Sequence, residues 1–318
     1  MKIVVLDGYA LNPGDLDWGV LSPFGEVTVY DRTESEEQAI ARLSGCDIVL
    51  TNKFPITESL LAACSDVKLI CVQATGYNIV DCAAARKRGI PVCNVPSYST
   101  DSVAQLTFAL LLELCHQVGR HNEAVHQGAW CESPDFCFWV SPLTELAGKT
   151  LGIIGLGSIG QAVARIGKAF GMEILACSRS RRPECEDLAT YVDLDTLLAK
   201  SHVVSLHCPL FPETDKIINA HSLSKMRPGA MLINTSRGGL IDEQAVADAL
   251  ISGKLQGAAV DVVSREPMLA SNPLLSAPNC IITPHIAWAP TESRIRLMNT
   301  LAGNIAAFLA GKPENVVN

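Results

Sequence analysis

The sequence predicts an α/β protein built from two domains, each with a parallel β-sheet. A chain of 318 residues is too long for one ordinary hydrophobic core and fits two domains of typical size. Short apolar runs alternate with helical patterns in both halves, at the spacing of parallel-sheet units. A polar, turn-rich break at residues 96–102 separates the two series. These observations favour two consecutive open α/β sheets.

The first series predicts five strands and three helices. The strands are expected at residues 3–6, 27–30, 47–51, 69–73 and 92–95. The helices are expected between them at residues 36–43, 57–63 and 80–88, with Gly89 in the position of a helix C-cap.

The second series begins with a long apolar helix that Asp101 or Ser102 is placed to cap and that runs to about Val118. Further helices are expected at residues 159–170, 193–200 and 243–252. Strands are expected at residues 150–154, 173–177, 203–206, 231–234, 258–262 and 280–283. A final helix at residues 291–309 has no strand after it, so we expect it to pack on the first domain. The predicted domains are residues 1–98 with 289–318, and residues 99–288.

The composition excludes several classes of protein. Hydrophobic residues make up 48% of the chain and charged residues 18%, which is typical of a globular protein. The net charge of −8, without a long basic tract, argues against a nucleic-acid or anionic-membrane partner. No segment approaches a membrane span, and the N-terminal apolar run is too short for a signal peptide. We therefore expect a cytoplasmic protein.

The twelve cysteines contain no Cys-x-x-Cys pair. A zinc site needs ligands clustered at short spacing, which this pattern does not provide. We expect reduced thiols that mostly fill the core, and no metal site.

A glycine-rich motif, Gly155-x-Gly157-x-x-Gly160, joins a predicted strand to a predicted helix. An isolated match of this kind is usually a plain turn, but strand and helix context is what a dinucleotide-binding Rossmann fold requires. An NAD site usually has an acidic residue at the end of the next strand, whereas this chain has Ser178 followed by Arg179. The missing carboxylate and the arginine favour NADP(H), with NAD(H) as the alternative. The arginines could also belong to a solvent-exposed loop that binds no phosphate.

Three polar side chains follow predicted strands further along the chain: Arg237, Glu266 and His285. Ligands of open α/β sheets bind at the carboxyl ends of strands, so these residues are candidates for one site. An arginine, a carboxylate and a histidine suffice to reduce a 2-keto acid. A lone histidine or arginine is more often structural, and the other six histidines lack such a context.

The motifs together resemble the D-isomer-specific 2-hydroxyacid dehydrogenase family over nearly the whole chain. The resemblance rests on the glycine motif and on segments 234–239 (NTSRGG), 261–267 (DVVSREP) and 283–285 (TPH). Segments 6–8 (LDG), 74–81 (ATGYNIVD), 136–139 (FCFW) and 285–288 (HIAW) are similar to the hydroxypyruvate reductase, or glycerate dehydrogenase, branch.

The resemblance implies two Rossmann or flavodoxin-like domains with the active site in the cleft between them. The domain of residues 1–98 and 289–318 would bind substrate, and that of residues 99–288 the dinucleotide. The implied activity is the reversible reduction of hydroxypyruvate or glyoxylate to the D-2-hydroxy acid. His285 would be the acid and base, Arg237 would bind the substrate, and Glu266 would orient His285 and stabilise its protonated form.

The resemblance also implies contacts for other residues. The backbone of Thr75 and Gly76 would bind the substrate carboxylate, and Asp261 would face the nicotinamide carboxamide. The implied cofactor lining comprises Thr107, Ser158, Ile159, Cys208, Pro209, Thr214, Thr235, Ser236 and Trp288. The chain departs from the family in having Gln105 after Ala104 where a glutamate is usual, and Ser178 in place of an aspartate. The second departure bears on cofactor preference.

The aromatic segment 128–148 has no clear periodicity, and such a segment is more often a subunit contact or a lid than a solvated linker. We expect a homodimer; the alternative is that these aromatic side chains pack within one subunit. A different class of function is a dinucleotide-sensing corepressor that binds the cofactor without turnover.

Overall fold

The computed structural model describes residues Met1–Asn318, which form two compact units. The first unit comprises residues 1–99 and 289–318, and the second comprises residues 100–288. No helix has both the length and the apolar character needed to cross a bilayer.

The first unit contains a five-stranded parallel sheet in the order β2-β1-β3-β4-β5. Its strands are β1 (Lys2–Val5), β2 (Glu26–Val29), β3 (Ile48–Thr51), β4 (Leu69–Val72) and β5 (Val92–Cys93). The connecting helices are α1 (Glu36–Arg42), α2 (Glu58–Ala63) and α3 (Cys82–Lys87). Strands β3 and β4 are buried at every position, because central parallel strands are covered on both faces.

The second unit contains a seven-stranded parallel sheet in the order β12-β11-β10-β9-β6-β7-β8. Its strands are β6 (Thr150–Ile154), β7 (Glu173–Cys177), β8 (Thr190–Tyr191), β9 (Val203–Leu206), β10 (Ala230–Asn234), β11 (Leu255–Val260) and β12 (Cys280–Ile282). Its helices are α4 (Thr100–His116), α5 (Val118–His126), α6 (Ser158–Ala169), α7 (Leu194–Lys200), α8 (Ala220–Lys225) and α9 (Glu243–Ile251). The two parallel sheets confirm the predicted α/β class.

Each sheet has one point at which the strand order reverses. In the second unit the chain moves from β6 outward to β7 and β8, then returns to β9 on the other side of β6. In the first unit the corresponding reversal lies between β1 and β3. Ligands of open α/β sheets bind at the carboxyl ends of the strands beside such a reversal.

The chain ends in a helix, α10 (Thr291–Leu309), that belongs to the first unit. Its buried side chains Leu297, Leu301 and Ile305 lie four residues apart, so they share one face of the helix. The helix contacts β4, and the buried Arg294 makes a bidentate ion pair with Asp15. Packing of the final helix on the first sheet agrees with the expectation from the sequence.

Helix α4 ends at His116, where the sequence predicted a helix to about Val118. Gln117 adopts a left-handed conformation with φ of 44°, which interrupts the helix, and α5 follows immediately. Helix α5 was not predicted. None of its residues is buried, so it lacks the apolar core face that marks the other long helices. Helix α8 and the two-residue strand β8 were also not predicted, because each is too short to establish a pattern.

Candidate active site

The glycine-rich loop joins β6 to α6 at the reversal point of the second sheet. Gly155 has φ of +97°, and a Cβ there would lie 2.6 Å from the backbone nitrogen of Cys208. A Cβ on Gly160 would collide with the carbonyl oxygen of Gly155. Only glycine therefore fits at these two positions without movement of the backbone.

Gly157 has a different environment, because a Cβ there would meet no atom within 4 Å. It is the N-cap residue of α6, and no side chain caps the helix. The backbone N–H groups of Ser158, Ile159 and Gly160 begin this helix and have no partner within it. Free amides, a positive helix end and open space at Gly157 fit the pyrophosphate of a dinucleotide.

Ser178 and Arg179 follow β7 and lie beside the glycine-rich loop, since Gly155 N–H donates to the carbonyl of Cys177 at 2.8 Å. The guanidinium of Arg179 lies 5.7 Å from the ring centroid of Phe211. Arg181 instead lies over Tyr191, in the edge strand β8. Arg179 is thus the arginine nearer the loop that contains Cys208 and Thr214.

The loop after β9 is held together by Thr214. Its hydroxyl accepts from the amide of Phe211 at 2.8 Å and donates to the carbonyl of Pro209 at 2.8 Å. Burial raises the pKa of the half-buried Cys208 thiol to about 11, so that thiol is uncharged at neutral pH.

Arg237 is exposed at the end of a loop that Asn234 shapes. The buried Asn234 side chain donates to the carbonyl of Arg237 at 2.8 Å and accepts from the amide of Ser236 at 3.1 Å. The Arg237 guanidinium donates to the carbonyl of Ser236 at 2.7 Å. Thr235 is buried, and its hydroxyl lies 3.0 Å from that of Thr107. This pair fastens the loop to α4.

His285 and Glu266 form a hydrogen-bonded pair. His285 Nδ1 lies 2.7 Å from Glu266 Oε2, and about a third of each side chain is exposed, 31% and 34% respectively. The other carboxylate oxygen of Glu266 accepts from the amide of Val263 at 3.3 Å. Because Nδ1 donates to the carboxylate, Nε2 is the ring nitrogen left to exchange a proton with a ligand.

The turn that presents His285 is organised by Asp261. His285 has φ of 57°, an uncommon conformation for a residue other than glycine. The carboxylate of the buried Asp261 accepts from the hydroxyl of Thr283 at 2.6 Å and from the amides of Ile286 at 2.9 Å and Ala287 at 2.8 Å. Asp261 therefore positions the histidine, a role that the sequence did not predict. Trp288 is half-buried directly after this turn.

In the first unit, Thr75 and Gly76 follow β4. The Thr75 hydroxyl donates to the carbonyl of Val95 at 2.8 Å, and Asn94 donates to the carbonyl of Thr75 at 2.7 Å. The amides of Thr75 and Gly76 donate no hydrogen bond within the chain. Two adjacent free amides fit a carboxylate ligand.

Sequence reasoning also missed Asp7, which follows β1. Its carboxylate accepts from the amides of Asn52 at 2.7 Å, Lys53 at 2.5 Å and Phe54 at 2.9 Å. Burial raises the pKa of Asp7, while these backbone N–H groups lower it. Asp7 therefore fixes the loop after β3. Its sequence signals are its position at the end of an apolar strand and its place in the segment 6–8 (LDG), neither of which indicates this contact.

Comparison with known proteins agrees with this geometry. Residues 108–287 match the D-isomer specific 2-hydroxyacid dehydrogenase family, NAD binding domain. The chain is 54% identical over 321 residues to a hydroxypyruvate reductase of Blautia hydrogenotrophica, covering 100% of both chains. It is 40% identical over 318 residues to a glycerate dehydrogenase of Methylorubrum extorquens, covering 99% of this chain and 98% of the relative. The solved structure of an acyclic imino acid reductase in complex with NADPH and D-Arg is 34% identical, with a TM-score of 0.87 over 100% of both chains.

Proposed function

The chain belongs to the D-isomer-specific 2-hydroxyacid dehydrogenase family and is an enzyme of that family, and we propose that it reversibly reduces hydroxypyruvate or glyoxylate to the D-2-hydroxy acid. The hydroxypyruvate reductase at 54% identity supports this choice of substrate. The observation that carries the proposal is the 2.7 Å contact of His285 with Glu266, in the same unit as the Arg237 loop and the glycine-rich loop.

His285 acts as the acid in reduction and as the base in the reverse direction. Protonated His285 donates its Nε2 proton to the carbonyl oxygen, and that oxygen becomes the hydroxyl of the product. Glu266 keeps the ring oriented through Nδ1 and stabilises the imidazolium with its negative charge. The bound nicotinamide dinucleotide supplies the hydride.

Arg237 binds the substrate carboxylate and polarises the keto oxygen. Its guanidinium is exposed, and only a backbone carbonyl is bonded to it, so its remaining N–H groups can face an anion. In the first unit, the free backbone amides of Thr75 and Gly76 are proposed to bind a substrate carboxylate.

The cofactor is bound by the loop from Gly155 to Gly160, with Cys208, Pro209, Thr214 and Trp288 as further lining. NADP(H) is preferred over NAD(H), because Arg179 next to Ser178 can pair with a 2′-phosphate. The NADPH complex of the 34% identical reductase supports this preference. Arg179→Asp should lower kcat/KM for NADPH relative to NADH, and an unchanged ratio would reject the preference.

The protein is proposed to work as a homodimer. Phe136 is 90% exposed, Trp139 67% and Trp130 53%, in the aromatic segment between α5 and β6. Large apolar side chains in such an exposed group are typical of an interface. Sedimentation at two concentrations should give the mass of a dimer at both; a monomer at both would reject the dimer.

The activity is tested by mixing the protein with NADPH and a keto acid while the reduced-nicotinamide absorbance is followed. We expect the absorbance to fall, with kcat/KM for hydroxypyruvate and glyoxylate above that for pyruvate. Binding of NADPH without any turnover would instead favour a dinucleotide sensor. Turnover with pyruvate as the best of the three substrates would overturn the proposed substrate but not the reaction.

A further inference from the structure

We propose that Glu243 is a positioning residue for the reaction, because it holds the loop that carries Glu266. The inference rests on the proposed roles of Glu266 and His285. Glu243 is the first residue of α9, yet its carboxylate reaches residues that lie 21 and 29 positions away. Its Oε1 accepts from the amide of Ser264 at 2.7 Å. Its Oε2 accepts from the hydroxyl of Ser264 at 2.9 Å and from the side-chain amide of Asn272 at 3.0 Å.

The loop between β11 and the short helical turn at Pro273–Leu275 contains no strand or helix, so its own backbone does not fix it. Glu243 fastens this loop at both ends, at Ser264 and at Asn272. Glu266 lies two residues after Ser264, inside the fastened part. The position of the carboxylate that holds His285 therefore depends on Glu243.

The loop that contains Glu266 also packs against the loop that contains Arg237. Gly238, next to Arg237, lies so close to the backbone of Val263 that a Cβ there would collide with its carbonyl group. Val263 in turn donates its amide to Glu266 at 3.3 Å. The segment 263–264 therefore contacts both Gly238 and Glu243, which precede it in the chain. The contact of Gly238 with Val263 therefore fixes the position of Glu266 relative to Arg237.

The position of Glu243 suits a hydrogen-bond acceptor. It lies in the first turn of α9, where the positive end of the helix dipole stabilises a carboxylate. An ionised carboxylate offers acceptors only, which matches the three donors that surround it. Glutamine keeps one acceptor oxygen at the same length of side chain, so it should preserve part of the fastening.

The test compares Glu243→Ala, Glu243→Gln and the matched control Gln244→Ala in the full-length enzyme. Gln244 is the exposed neighbour, and its side chain donates only to Asp248. We expect Glu243→Ala to lower kcat by about 10- to 100-fold, the size of effect that follows from misplacing a reacting group by about 1 Å. The Kd for NADPH should stay unchanged. Glu243→Gln should recover most of kcat, and Gln244→Ala should match the wild type.

Two readouts distinguish positioning from a general structural role. In Glu243→Ala kcat should fall while the KM for hydroxypyruvate changes little, because the carboxylate that orients His285 is misplaced. In a Glu266→Gln background, Glu243→Ala should cause little further loss, since its effect passes through Glu266. An unchanged kcat with a raised KM, or fully additive losses, would overturn the proposal.

Amide hydrogen exchange provides a measure that does not depend on turnover. The amide of Ser264 should exchange faster in Glu243→Ala than in the wild type or in Gln244→Ala. Unchanged exchange would overturn the inference about Glu243 while leaving the proposed function intact. Conversely, a wild-type protein that reduces no keto acid would reject the proposed function, and faster exchange would still show that Glu243 holds the loop.

Discussion

His207 should make the stability of the second unit depend on pH, because the folded unit holds it as a neutral side chain. Its Nε2 lies 2.8 Å from the hydroxyl of Ser205, and its Nδ1 is buried without a hydrogen-bond partner. Burial lowers the pKa of His207 from 6.5 to about 3. Below pH 6.5 the unfolded chain therefore binds a proton that the folded unit does not bind.

The size of the effect follows from these values. Stability is full above pH 6.5 and falls as the pH drops toward 3, by about 1.4 kcal/mol for each pH unit. At pH 5 the loss is about 2 kcal/mol. His207 is partly exposed, which makes its pKa less sensitive to burial. The loss of stability at pH 5 is nevertheless nearly the same for any pKa of folded His207 below roughly 4.5.

The perturbation is His207→Gln, which removes the titrating group and keeps a polar side chain beside Ser205. Trp18 is the only tryptophan of the first unit, so a Trp18→Phe background confines the fluorescence to the second unit. Urea unfolding at pH 7 and at pH 5 then gives the stability of that unit. The parent should lose about 2 kcal/mol more than His207→Gln between the two pH values. Equal losses in both proteins would refute the reasoning.

Three further predictions concern other parts of the chain. Gly160→Ala should weaken NADPH binding by at least about tenfold in a fluorescence titration, because the new Cβ collides with the carbonyl of Gly155. Asp15→Asn should lower the thermal midpoint at neutral pH. Arg294 lowers the pKa of Asp15 below 3.8, so the stability from this pair is present above about pH 4 and is lost as the pH falls through the lowered value. Asp261→Asn should reduce kcat by about tenfold or more with little change in KM, because three donors that position His285 lose a carboxylate.

Each of these predictions has a control or a contrary outcome. Gly303→Ala adds the same methyl group at an open position of α10 and should leave NADPH binding unchanged. If it weakens binding as much as Gly160→Ala, the collision is not the cause. A stability difference between Asp15→Asn and the wild type that does not shrink as the pH falls below 3.8 would contradict the ion pair as its cause. Wild-type kcat in Asp261→Asn would remove Asp261 from the positioning of His285.

Three strands of the second sheet could be predicted to the residue, whereas β11 begins at Leu255, three residues before its predicted start at 258. The runs at Thr150–Ile154, Glu173–Cys177 and Val203–Leu206 have the bounds expected from the sequence. β6 and β9 are central parallel strands buried at every position, which leaves a continuous apolar signal, whereas β7 is buried only at alternate positions. Helix α5 left no such signal because none of its residues is buried.

Some contacts of the candidate site could also be predicted from the sequence, and others could not. The rule that ligands bind at the carboxyl ends of strands predicted that Glu266 and His285 belong to one site, and their side chains lie 2.7 Å apart. The partners of Asp261 and Glu243 could not be predicted. Glu243 begins a helix, where a glutamate is ordinary, and its partners lie 21 or more residues away along the chain. Only the folded loop brings them together.

The central claim is that His285, held by Glu266, transfers the proton during reduction of a keto acid. The most direct test is the kcat of His285→Ala for NADPH-dependent reduction of hydroxypyruvate, with the Kd for NADPH measured on the same preparation. We expect kcat to fall by about 10²- to 10⁴-fold while NADPH still binds as in the wild type. A variant with near-wild-type kcat would contradict it.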